Sequence, residues 1–141
     1  MLSYRAETNI SAEPHAVWQA LMDLAAYPRW DSGVTKVEGA IAHGSRISVH
    51  PASSPGRVLH VRVTELVENL RMAWTSGLPL ALFRGVRTFT LKPTAGGGTG
   101  VVVEEIFRGP LVRLMSRSEP DLQPLFEQFV VGLKARVEGH A

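Results

Sequence analysis

The sequence predicts an α+β fold, a single domain over residues 1–141 in which an antiparallel meander is covered by a long C-terminal helix. Two observations carry this. From about residue 34 to residue 109, apolar and polar residues alternate with period two, interrupted by turn-forming stretches such as "PASSPG" and "TAGGG". From residue 118 onward, apolar residues recur at helical spacing, and a sheet with one dry face needs such a cover.

Residues 2–10 read as the first strand, with Leu2, Tyr4, Ala6, Thr8 and Ile10 on one face. "SAEPHAVWQALMDLAAY" reads as a helix. Ser11, Ala12 or Glu13 can cap it, and Pro14 suits a first turn, where a missing N–H is harmless. Val17, Leu21 and Leu24 form its apolar stripe, widened by Trp18 and Ala20, and Pro28 and Gly33 break it. Two short helices are therefore expected after the first strand. Strands follow at 34–41, 45–50, 57–67, 70–76, 85–92 and 100–108, six or seven in all with the first. Their short connections make them antiparallel. In "VLHVRVTEL", Leu59, Val61 and Val63 alternate with His60, Arg62 and Thr64, so one face is wet.

The last helix has Ser118 as N-cap, with Asp121 three residues later, close to a capping box. Leu122, Leu125, Phe126, Phe129, Val130, Leu133 and Val137 make its apolar stripe. Lys134 and Arg136 suit the C-terminal end of the dipole, and Gly139 can end the helix.

One residue does not fit a plain core. In "FRGVRTFTL", alternation puts Arg87 on the same inward face as Phe89 and Leu91. In "VVVEEIFRG", Val103, Glu105 and Phe107 share a face, and Phe107 with the bend at Gly109 marks it as inward. The two segments form a hairpin. Inward partners must sum to 192 or 194, which sets Arg87 opposite Glu105 or Phe107. Three placements stay open for Arg87: snorkelling to solvent from a strand end, an internal pair with Glu105, or a group that orients a ligand.

Composition excludes several chemistries. There is no cysteine, hence no disulfide, thiolate metal site or cysteine nucleophile. Histidines at 15, 43, 50, 60 and 140 show no metal-binding spacing, so no metal and no cofactor is expected. "AGGGTGV" lacks the lysine and hydroxyl of a phosphate loop, and no G-x-S-x-G elbow is present. Glu104 and Glu105 point to opposite faces and are no shared carboxylate pair. A net charge of +2 with scattered basic residues argues against nucleic acid as partner. The start "MLSYRAETNIS" does not read as a signal peptide and no stretch approaches the roughly 20 apolar residues of a membrane helix, so a cytoplasmic location is expected.

The order of "AVWQALMDLAAYPRWDS", "FRGVRTFTL", "VVVEEIFRG" and "FEQFVVGLKARVE" resembles the START-like, Bet v 1-type superfamily, and within it the polyketide cyclase/dehydrase and lipid-transport-like group. The likeness spans nearly the whole chain. It implies a helix-grip fold, a curved sheet around the C-terminal helix with a deep cavity between them. Members bind lipids, polyketides, sterols or other greasy molecules there, and only some catalyse a reaction. Where that group often carries a histidine, this chain has Arg87.

The resemblance makes a cavity lining of Trp30, Trp74, Phe83, Arg87, Phe89, Glu105, Phe107, Phe126, Phe129, Val130 and Leu133, with Trp30 of the "YPRW" corner at its mouth. The expected function is binding or carriage of a small lipophilic molecule. Two alternatives stay open: a polyketide cyclase/dehydratase-type enzyme using Arg87 and Glu105 in the same cavity, and a module that binds a protein partner.

Overall fold

The computed structural model describes residues 1–114 and 121–139; Ser118, the expected helix cap, lies outside the described residues. One sheet holds seven strands: β1 (Leu2–Ile10), β2 (Val34–Glu38), β3 (Arg46–Pro51), β4 (Leu59–Val67), β5 (Arg71–Leu78), β6 (Phe83–Pro93) and β7 (Thr99–Arg108). Their order is β1-β7-β6-β5-β4-β3-β2, all antiparallel. The meander is as the alternation predicts. What alternation alone does not give is the pairing of β1 with β7, which puts β1 and β2 on opposite edges.

The chain between those two strands must therefore cross the sheet, at most roughly 29 Å at ~4.8 Å per strand. Helix α1 (Pro14–Met22) and a 3₁₀ segment (Leu24–Arg29) make the crossing. The stretch read as helical to Tyr27 is thus split into the two short helices expected after the first strand. Asp23 leaves helical geometry at φ −84° and ψ 78°, and the phenol of Tyr27 donates to the Leu21 carbonyl at 2.7 Å. A continuing helix would give that carbonyl to a backbone N–H four residues on, so the side chain replaces a helical bond.

Two boundaries differ for local reasons. Ser76 and Gly77 are paired within the sheet, and the turn lies at Pro79–Ala81, where Leu80 and Ala81 take φ of 62° and 55°. β2 stops at Glu38 because Gly39 turns the chain at φ 116°. Register shifts at Val34/Lys36 and Val63/Glu65 mark β-bulges, which bend a strand and increase its twist.

Helix α2 (Gln123–Glu138) lies against that side. Its N-cap is Leu122, and the Asp121 carboxylate accepts the N–H of Gln123 at 3.0 Å, so Asp121 caps from just outside the helix. Phe126, Phe129, Val130, Gly132 and Leu133 are buried, whereas Leu125 is 36% exposed and leaves the expected stripe. Gly139 ends the helix at φ 81°, as expected. Among the described residues no helix is long and apolar enough to cross a membrane.

Candidate functional site

Four residues form a polar and aromatic row across the inner face. Tyr4, Glu105, Arg87 and Trp74 are direct neighbours on β1, β7, β6 and β5. The hairpin takes the register that sums to 192, so Arg87 faces Glu105 and not Phe107. Arg87 Nε and Nη2 donate to the same carboxylate oxygen, Glu105 Oε1, at 3.0 and 2.8 Å. The Glu105 side chain is 10% exposed and that of Arg87 32%. Arg87 therefore sits inside the strand with a partner, which removes the strand-end reading.

The guanidinium also lies over an aromatic face. Arg87 Cζ is 4.8 Å from the centre of the Phe126 ring, and Tyr4 stacks on the same residue at 5.7 Å. A cation over a ring adds on the order of 0.5–2 kcal/mol, so α2 helps hold the arginine. Phe107 contacts Tyr4 edge-on at 6.2 Å and Phe83 at 5.5 Å. Phe83 is only partly buried and marks the margin of this group.

A second cluster adjoins it. Trp30, Trp74 and Phe129 surround Tyr27 and Phe89 packs on Trp74 and Phe129, with ring centres 4.8 to 6.5 Å apart. Val130 and Leu133 are 1% and 0% exposed in the same core. The expected lining residues are thus brought together, Val130 and Leu133 as plain core and the others as two adjoining ring clusters. The rings touch one another instead of facing each other across a wide gap. Of the expected lining residues only Phe83 borders either open volume, the one of about 500 Å³, and neither that volume nor the one of about 440 Å³ is lined by Trp30, Trp74, Arg87 or Glu105.

Several donors here lack acceptors. The indole N–H groups of Trp30 and Trp74 are buried without a hydrogen-bond partner. Among the described residues, Arg87 Nη1 also has none. A buried unmade hydrogen bond costs about 1–3 kcal/mol, so each indole is a place where an acceptor would be favoured.

Three residues of the site were not singled out by the sequence. Tyr4 shares the inward face of β1, which was legible. Gly85 interrupts a strand pattern, a known sign of close approach. A Cβ there would lie 2.9 Å from Phe107 Cε1 and 3.0 Å from Glu105 Oε2, so the bare position seats both. Tyr27 gave no signal. It is buried, its phenol bonds Leu21, and its carbonyl accepts from Ser32 Oγ at 2.7 Å. Burial pushes its hydroxyl well above the usual tyrosine range, opposed by the nearby Arg87 charge. Tyr27→Phe should cost about 1 kcal/mol in a urea melt by orphaning the Leu21 carbonyl. An unchanged midpoint would show that the phenol bond does not hold the α1 end.

An antiparallel sheet curled on a C-terminal helix is the helix-grip fold, which a START superfamily protein shares. The chain belongs to the polyketide cyclase / dehydrase and lipid transport family, which matches residues 1–138. Solved structures agree on the fold. Protein MLL2253 from Mesorhizobium loti is 24% identical with a TM-score of 0.75, over 99% of this chain and 98% of that one. A START superfamily protein from Mycobacterium smegmatis is 15% identical with a TM-score of 0.73, over 99% of each chain. DynU16, a protein of the dynemicin biosynthetic locus, is 16% identical with a TM-score of 0.73, over 98% of this chain and 48% of its own. No curated protein matches the chain in sequence.

Proposed function

We propose that this protein binds a small lipophilic molecule between the inner face of its sheet and α2, with Arg87 and Glu105 orienting the molecule's polar end. The observation that carries the reading is the set of unpartnered donors on an aromatic wall: the indole N–H groups of Trp30 and Trp74 and Nη1 of Arg87. Apolar walls with a few fixed polar groups are what a small-molecule site requires. A ligand with a carbonyl, hydroxyl or carboxylate would satisfy these donors, while its apolar body replaces ring–ring contacts. To admit it, Trp30 and Phe129 must part from Trp74 and Phe89, which are fixed on the sheet.

A cyclase- or dehydratase-type reaction at the same groups is less well supported. Oε1 of Glu105 already accepts two N–H groups, and Oε2 lies over the bare Gly85 position. A general base needs a free oxygen within reach of the substrate proton.

The test is a thermal melt and tryptophan fluorescence against fatty acids, sterols, quinones and aromatic polyketides, beside native mass spectrometry of the purified protein. A ligand at a hundred times its Kd adds about 2.7 kcal/mol, enough to raise the melting temperature by several degrees. Trp74→Phe should weaken the ligand that produces this shift. A panel without any shift, together with no copurified small molecule, would sink the reading.

A further inference from the structure

The outer face of the sheet carries charge that the inner site does not use. Arg46 and Arg62 are direct cross-strand partners on β3 and β4, and Arg84 and Arg108 are partners on β6 and β7. Like charges placed directly opposite destabilise a sheet. Among the described residues no carboxylate pairs with any of the four. Arg62 Nη1 reaches only the Gly44 carbonyl, at 3.4 Å.

An open groove of about 500 Å³ brings Arg46, Arg62 and Arg84 together with His60, and among the described residues no aspartate or glutamate lines it. Its walls are mixed. Thr75 is the cross-strand neighbour of Arg62 and its hydroxyl lies 2.8 Å from that of Thr64, while Leu78 and Phe83 make one end apolar. Three guanidinium forks from three strands, in a chain of net charge only +2, amount to a local excess that an anion would relieve.

We propose that this groove binds a phosphomonoester, its dianion held by Arg46, Arg62 and Arg84 and its organic part against Leu78 and Phe83. Guanidinium forks match phosphate oxygens two at a time, and three of them suit a dianion better than a single carboxylate. The volume is that of a small-molecule site. The ester is either a soluble metabolite or the headgroup of a phosphatidic-acid-type lipid, since both present the same group. Arg87 and Glu105 do not line the groove and Phe83 alone belongs to both readings, so the anion-binding half of the proposal stands or falls apart from the inner-face reading.

The test is a titration of ¹⁵N-labelled protein with phenyl phosphate, followed at the amides of Arg62, Thr75 and Arg84, and cosedimentation with phosphatidylcholine vesicles with and without phosphatidic acid. Saturable shifts with phenyl phosphate indicate a soluble ester, and cosedimentation that needs phosphatidic acid indicates the lipid. In either case the double variant Arg46→Gln, Arg62→Gln should bind about tenfold more weakly or worse, the loss of charged hydrogen bonds. The same variant, free of ligand, should melt no lower than the parent because a repulsive pair is gone. The double variant Lys92→Gln, Arg136→Gln, an equal loss of charge outside the groove, should leave binding unchanged. The proposal is overturned if neither probe binds, or if the Lys92→Gln, Arg136→Gln control weakens binding as much as the Arg46→Gln, Arg62→Gln variant does.

Discussion

Replacing Arg87 with methionine should cost the fold about 3 kcal/mol, replacing Glu105 with leucine about 2, and making both changes together about 1 or less. The asymmetry follows from exposure. Without Arg87, a carboxylate only 10% exposed loses both of its charged donors. Without Glu105, the arginine keeps the Phe126 ring and a side chain 32% exposed, so water takes part of the charge. Removing both leaves an apolar row of similar volume and no stranded ion. Urea melts of the two single variants and the double close the cycle. Additive losses would mean that the two residues act independently and that the pair is incidental.

Gly132→Ala should destabilise by about 2 kcal/mol, although alanine favours a helix over glycine by about 1 kcal/mol. A Cβ at this position would lie 2.3 Å from the Asp31 carbonyl oxygen and 2.9 Å from its carbon. Those are backbone atoms and cannot turn aside. Either α2 moves off the inner face or the loop after the 3₁₀ segment does. That loop is tied down by Gln128 Nε2 donating to Asp31 Oδ1 at 2.7 Å and by Ser32 Oγ donating to Tyr27 O. Because Trp30 belongs to it, the same substitution should change tryptophan emission. A variant as stable as the parent, with unchanged emission, would show that loop and helix are not in close register.

Much of this was legible because it is local. Period-two alternation places Arg87, Phe89, Glu105 and Phe107 on one face, and a hairpin joined by a glycine-rich tip confines their register to two choices. The choice itself rests on the turn, where Gly97 takes φ 82° and the Thr94 N–H bonds the Gly98 carbonyl at 2.9 Å. Several backbone paths fit "TAGGGTG", so composition alone does not select one. The capping of α2 and the point at which the first helical stretch splits were less legible. Each depends on one side chain, Asp121 or Tyr27, bonding a backbone group that other residues could also have reached.

The sequence by itself determined the class of fold, the inward face of each strand and the presence of two ions on that face, because side-chain direction in a strand or helix repeats with a fixed period. Tertiary structure alone decided that β1 joins β7, that Gly132 lets α2 meet Asp31, and that two indole N–H groups end without acceptors. Those outcomes turn on distances of a few tenths of an ångström between segments far apart in the chain, and no period in the sequence encodes such distances.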